Sequence, residues 1–221
     1  VVHWYAGDDA FGAAALDAAG SGIRAINEFI PISATQNIDI YIYSNAPDLQ
    51  NTLLLGGEDW VGGHANPELG VVLVAIAPGP NQSIELETKI PHELAHVMLY
   101  RSLSKTYAAQ PIWLLEGIAA MAEYPNPDYK HALDIASGNN TLLSLEGLCA
   151  SFPADAGNAF LAYAQSQSFV TYIRETYGTS GLARLTQSYS EGFSCELGAT
   201  NALGTPLSQL DVRWRESVLG Q

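Results

Sequence analysis

The segment H-E-L-A-H between His92 and His96 constrains the fold more than any other part of the chain. Residues four positions apart on an α-helix lie one turn apart and differ by about 40° around its axis. On a helix, both imidazoles can therefore face the same way and reach one metal ion at about 2.0–2.1 Å. The apolar residues Leu94, Val97 and Leu99 suit a buried helix. The segment predicts a helix over residues 82–101 that carries two metal ligands.

Glu93 follows the first histidine directly and lies beside such an ion rather than on it. A carboxylate in that position can take a proton from water that the metal has acidified, which is the arrangement that a hydrolase needs. The alternative is that His92 and His96 are ordinary helix histidines that bind no metal.

Glu116 is the candidate third ligand, twenty positions after His96 on a helix predicted over residues 111–124. Antiparallel helices joined by a short turn would bring it back over the first motif. It is the only carboxylate in Pro111–Met121, an apolar stretch where a buried charge needs a partner. A catalytic zinc site has three protein ligands and one open position, so the pattern predicts one Zn²⁺. The alternative is a surface glutamate on an amphipathic helix.

The same residues resemble a known family. An H-E-x-x-H motif followed at this spacing by a glutamate ligand is the pattern of the gluzincins, which include thermolysin and the aminopeptidase N type. The strings Pro91–His96 and Pro111–Ala119 resemble the peptidase MA-like domain most, and the likeness spans about residues 73–189. A weaker likeness involves Trp4-Tyr5 and residues 60–63. The resemblance implies a zinc-dependent metallopeptidase with a zincin-like fold.

The resemblance also implies a residue that stabilises the oxyanion. Aminopeptidase N-like enzymes carry a catalytic tyrosine at the start of a helix, and the segment from Tyr163 to Val170 is similar to that region. Gln165-Ser166 replaces the Lys-Gly pair of those enzymes, which leaves fewer identities. The likeness implies that Tyr163 is catalytic, with Tyr172 as the runner-up. The alternative is a helix tyrosine that packs on the core.

In gluzincins, the strand just before the metal-binding helix is an edge strand with which the substrate backbone pairs. Carried over to residues 70–77, this implies that Val74 and Ala75 bind an extended peptide. The alternative is a buried strand that binds no ligand.

His64 lies in a glycine-rich segment predicted to be a loop, where it would contact substrate or solvent. Glu123 lies seven positions after Glu116 and is a candidate to orient a metal ligand.

Hydrophobic periodicity predicts an α+β fold. The first third alternates strands with helices, and the remainder reads as helices with glycine and proline between them. The chain is thus predicted to have a small N-terminal mixed sheet with helices, an active-site helix and a mainly helical C-terminal half. We expect one gluzincin-like catalytic domain over residues 1–221, with a cleft between parts 1–80 and 81–221. The predicted strands are 1–6, 38–43 and 70–77, and the predicted helices are 8–29, 47–54, 82–101, 111–124, 128–136, 159–177, 180–189, 195–203 and 208–219.

Composition excludes some partners. A formal net charge of −14, with no cluster of lysine and arginine, disfavours nucleic acids and anionic membrane surfaces. No segment reaches the roughly 18–20 apolar residues of a membrane span.

Cys149 and Cys195 form either a disulfide or two free thiols. The chain opens at Val1 in an apolar stretch, as a fragment of a longer protein would. These last two features favour a location outside the cytoplasm, whereas nothing indicates an oligomeric state.

Three functions are compatible with these features. The favoured one is hydrolysis of peptide bonds in a peptide or protein substrate. The second is a catalytically inactive, peptidase-like binding module, which Glu93 argues against because a structural metal site has no use for a base. The third is zinc-dependent hydrolysis of another amide, such as cell-wall peptides. The chain has no Gly-x-Met-Glu-Asn segment, which makes an aminopeptidase less favoured.

Overall fold

A computed structural model describes residues 1–29, 36–53 and 62–219. Within these ranges the chain is α+β, with one mixed four-stranded sheet and eight α-helices. It divides into two compact units, Val1–Ser102 with Ala122–Pro127, and Leu103–Met121 with Asp128–Gln221. Trp60 and Val61, which carry part of the weaker family likeness, lie outside the described residues.

The first unit contains the sheet. The order of its strands is β1-β2-β4-β3; β1, β2 and β4 run parallel, whereas β3 is antiparallel to β4. The elements are β1 (Val2–Trp4), α1 (Asp9–Phe29), β2 (Asp39–Tyr43), α2 (Ala46–Leu53), β3 (Gly63–Asn66), β4 (Val71–Ala75) and α3 (Gln82–Leu103).

The position of β4 corrects one expectation. The sequence predicts that the strand before α3 is an edge strand, but β4 pairs on both sides, with Val74 opposite Ile42 of β2 and Gly63 of β3. The prediction of an edge strand at Val74 and Ala75 is therefore wrong. The physical reason is that β3 covers this side of β4, and its glycine-containing sequence lacks the alternating apolar pattern by which strands are recognised.

The helices of the first unit follow from local sequence. Asp8 caps α1, because its Oδ1 accepts a hydrogen bond of 3.0 Å from the backbone N–H of Phe11. Phe11, Ala15 and Ile26 are buried at helical spacing, which explains why this face of α1 lies in the core. On α3, buried apolar residues flank the H-E-L-A-H segment, as predicted.

The second unit is helical. Besides two short 3₁₀ turns at Ser104–Ala109 and Gly147–Cys149, it contains α4 (Ile112–Ala120), α5 (Tyr129–Gly138), α6 (Ala156–Ser190), α7 (Cys195–Leu203) and α8 (Leu207–Leu219). Gly178 interrupts α6 with φ 71° and ψ 177°. Glycine adopts this positive φ readily. Because these torsion angles are not helical, α6 consists of two helical segments, in agreement with the two helices predicted there.

The core of the second unit contains a cluster of three buried aromatic rings, here called the aromatic core. The ring of Phe169 packs edge-on against Trp113 and Trp214, at centroid distances of 4.8 and 5.9 Å. Cys149 and Cys195 are joined by a disulfide, which resolves the alternative that the sequence left open. The indole Nε1 of Trp113 lies 3.4 Å from Sγ of Cys195, so the disulfide rests directly on this core.

Candidate active site

His92 and His96 lie on one face of α3, and their Nε2 atoms are 3.3 Å apart. Two imidazoles bound at about 2.0–2.1 Å to one tetrahedral ion would have their nitrogens about 3.3–3.4 Å apart. The observed separation therefore fits two ligands of a single zinc ion without rearrangement. His96 is buried, with 8% of its surface exposed, whereas His92 is half-buried.

Glu123 contacts the Nδ1 side of the His92 imidazole. Its Oε1 lies 2.7 Å from Nδ1 of His92, and the two side chains are only 7% and 13% exposed. An ionised carboxylate can only accept a hydrogen bond, so for a neutral imidazole this contact favours the tautomer with the proton on Nδ1 and the lone pair on Nε2. This contact selects the tautomer and the ring orientation that metal binding requires. The suggestion that Glu123 orients a ligand thus has a geometric basis.

Pro91 explains how Glu123 reaches His92. Proline has no backbone N–H, so the carbonyl of Glu87, one turn earlier on α3, lacks its usual helical donor. The N–H of Tyr124 donates to that carbonyl instead, at 3.0 Å. This bond joins the segment after α4 to α3 at the turn that carries His92. The residue beside Tyr124, Glu123, is thereby placed against the imidazole.

Glu93 lies on α3 facing β3. A Cβ atom built on Gly63 would overlap Oε1 of Glu93 and would lie 3.1 Å from its Cδ. His64, the next residue, belongs to β3 rather than to the predicted loop. Burial, followed by the charge of His96, lowers the pKa of His64 below its usual range. In the first unit, the described site thus contains the imidazoles of His92 and His96 and the carboxylate of Glu93, with β3 directly beside that carboxylate.

In the second unit, Glu116 lies on α4, where most neighbouring side chains are buried. Gly117 lets α4 approach α6 closely, because a Cβ there would lie 2.5 Å from the backbone oxygen of Ser166. Tyr163 is on α6, one turn before Ser166. The α4–α6 contact thus holds the backbone segments of Glu116 and Tyr163 within one helical unit.

The two candidate tyrosines have different surroundings. Tyr163 is half-buried, and its ring packs edge-on against Phe152 at a centroid distance of 5.0 Å. Tyr172 stacks on Phe169 of the aromatic core at 6.3 Å. Tyr172 is half-buried as well, so the two tyrosines differ in the ring they contact, and the role of each stays a prediction.

Val74 and Ala75, the predicted substrate-binding residues, have no free backbone edge. The N–H of Ala75 donates to Gly62 at 2.8 Å, and its carbonyl accepts from Nζ of Lys89 at 2.8 Å. Both side chains are buried, at 0% and 6% exposure. Strand addition to β4 is thus blocked by β3, a strand beside α3 that the sequence does not predict.

The fold and the histidine pair define a metallopeptidase-like protein of the α+β class. The chain belongs to the peptidase MA superfamily, whose family profile matches residues 18–220. This membership confirms the family that the motifs indicated and supports a peptidase-type enzyme. A comparison with curated proteins found no match. In the part of the chain that the structure describes, no helix has the length and apolar character needed to cross a membrane.

Proposed function

We propose that this protein is a zinc metallopeptidase that hydrolyses peptide bonds in peptide or protein substrates. The observation that carries the proposal is the 3.3 Å separation of the Nε2 atoms of His92 and His96, with His92 oriented by Glu123. Glu116 is the third ligand in this proposal. Its support is that His92, His96 and Glu116 make up a group of side chains that could hold a metal ion. Three protein ligands leave one coordination position open, as catalysis requires.

Each protein side chain has one role in the proposed reaction. When bound, zinc would lower the pKa of water and polarise the scissile carbonyl. Glu93 accepts a proton from the attacking water and later passes it to the leaving amine. Tyr163 donates a hydrogen bond to the oxygen that becomes negative. We further propose that these residues act within one zincin-like catalytic domain.

The substrate backbone is proposed to pair with β3. In the described part of the sheet, β3 is an edge strand and lies beside α3. Because Gly62 pairs with Ala75 and antiparallel pairs alternate, Gly63 and Ala65 direct their backbone N–H and C=O groups away from β4. An extended peptide can bind to these groups by strand addition. This position replaces Val74 and Ala75 as the proposed substrate-binding backbone.

The location outside the cytoplasm is also a proposal. It is supported by the disulfide between Cys149 and Cys195, because such bonds persist mainly in oxidising compartments. The free-thiol content of protein isolated from its native cells, measured before and after reduction, tests it. Two free thiols in that material would contradict it.

Zinc content and peptide cleavage test the proposed function. We expect one zinc ion per chain and cleavage of a peptide library that stops on chelation and returns with added zinc. Glu93→Gln removes the base without removing a ligand, so it should keep the zinc and lose cleavage. Zinc without cleavage by the unaltered protein would instead indicate a binding module. Cleavage of cell-wall peptides alone would indicate the other amide hydrolase.

A further inference from the structure

We infer that Gly63 is a positioning residue for the base, because its missing side chain is what leaves room for the carboxylate of Glu93. The inference rests on the proposed function, since it assigns the position of the base in that reaction. It goes beyond that function by placing a sequence requirement on β3, a strand that contains none of the motif residues.

A side chain at position 63 would contact the carboxylate end of Glu93. A Cβ atom at position 63 would overlap Oε1 and would lie 3.1 Å from both Cδ and Cγ. Real Cβ atoms almost never lie as close to another atom as this one would lie to Oε1, so one of the two groups must move. The carboxylate is the far end of a flexible side chain, whereas position 63 is backbone in a sheet. A side chain at residue 63 would therefore displace the base and leave the strand in place.

Backbone conformation gives no other reason for glycine here. The positive-φ glycines of the described chain include Gly70 and Gly79 but not Gly63, so alanine fits the backbone torsion angles. Gly63 pairs with Val74 within a regular antiparallel ladder. The clash with Glu93 is thus the specific consequence of adding a methyl group at this position.

The same strand is the one proposed to bind substrate. Gly63 turns its α-carbon hydrogen towards Glu93 and its backbone N–H and C=O groups towards the open side of β3. A peptide that pairs with Gly63 would therefore lie next to the residue that contacts the carboxylate of Glu93. The glycine therefore sets the distance between the base and the strand along which the scissile bond is presented, a distance on which proton transfer depends steeply.

Gly63→Ala tests the inference, with Gly62→Ala as the matched control. The nearest atoms to a Cβ on Gly62 belong to the flexible side chain of Lys89, with Nζ at 3.2 Å, so this substitution meets no clash as severe as the one at Gly63. We expect Gly63→Ala to lower kcat by about 10- to 100-fold, the cost of a misplacement of about 1 Å, with zinc content unchanged. The change in KM should be much smaller than the change in kcat. Gly62→Ala should stay within about threefold of the unaltered protein.

Glu93→Asp, alone and combined with Gly63→Ala, distinguishes displacement of the base from a general loss of folding or stability. Glu93→Asp shortens the base by one methylene, so it should relieve the overlap created by Gly63→Ala. We expect the kcat losses of the two substitutions to be less than multiplicative in the double variant. In zinc-free protein, their effects on the thermal midpoint should likewise be non-additive, which reports the contact without any turnover.

The outcomes are distinct. If the unaltered protein with zinc cleaves no peptide, the proposed function fails, and the zinc-free stability cycle still reports whether residues 63 and 93 are in contact. If the unaltered protein cleaves peptides and Gly63→Ala matches Gly62→Ala, the inference is overturned and the function stands. Strictly multiplicative losses in the double variant would also overturn it.

Discussion

Oε1 of Glu123 lies 2.7 Å from Nδ1 of His92, although the two residues are 31 positions apart in the chain. The contact is buried and favours the His92 tautomer with the proton on Nδ1. It depends on Pro91, which frees the carbonyl of Glu87 to bind Tyr124. The orientation of His92 thus follows from the missing backbone N–H of Pro91, one residue earlier on the same helix.

Glu123→Gln should weaken zinc binding by about 10- to 100-fold, because the amide is a poorer partner for the imidazole N–H than a carboxylate. Competition with a chromogenic chelator at constant pH measures the affinity. The matched control is Glu87→Gln, which removes the same charge from an exposed side chain on α3. Equal affinities for the two variants would contradict a role of Glu123 in orienting His92.

Glu116→Gln should reduce zinc affinity by more than about 100-fold, beyond the range expected for an orienting partner, because it removes a proposed direct ligand. Equilibrium dialysis against buffered zinc provides the measurement. Glu175→Gln, at an exposed position on α6, controls for the loss of one negative charge. Full zinc occupancy of Glu116→Gln at the affinity of the unaltered protein would remove Glu116 from the ligand set.

Tyr163→Phe should lower kcat by about 100-fold while zinc remains bound, because one donor to the developing oxyanion is lost. Steady-state cleavage of a peptide found in the library screen provides kcat, and metal analysis confirms the zinc. Tyr172→Phe provides the comparison, because that ring stacks on the aromatic core. A larger loss from Tyr172→Phe than from Tyr163→Phe would reverse the assignment of the two tyrosines.

Replacing both cysteines by serine should lower the free energy of unfolding. The disulfide joins residues 46 positions apart, and its loss costs about 4 kcal/mol on the chain-entropy model. Urea unfolding of the Cys149→Ser/Cys195→Ser variant measures the change against the oxidised protein. The reduced unaltered protein should behave like the variant. An unchanged free energy of unfolding would show that the bond contributes nothing to stability.

Tyr189 should make the fold sensitive to alkali. Burial, with a smaller effect from Glu196, raises the pKa of its phenol well above the usual value. The unfolded chain ionises this phenol near pH 10, so the free energy of unfolding should fall as the pH rises above about 10. Tyr189→Phe should make this fall shallower, as measured by urea unfolding between pH 9 and 11. An equally steep fall in that variant would show that other groups cause it.

The sequence alone determined the local elements. The helix over residues 82–101, the break near Gly178 and the span of α7 were predicted because apolar periodicity, caps and glycines act over a few residues. For the same reason, it determined that His92 and His96 share a helical face. The family also follows from motif residues that are local in the chain.

Only the tertiary structure decided which segments lie beside one another. Nothing in the composition of residues 63–66 indicates a strand, and β3 exists because β4 offers it an open edge. The pairing of Glu123 with His92 and of Cys149 with Cys195 likewise depends on residues that are distant in the chain. Such contacts form only when the whole chain buries its apolar surface, so no short-range pattern encodes them.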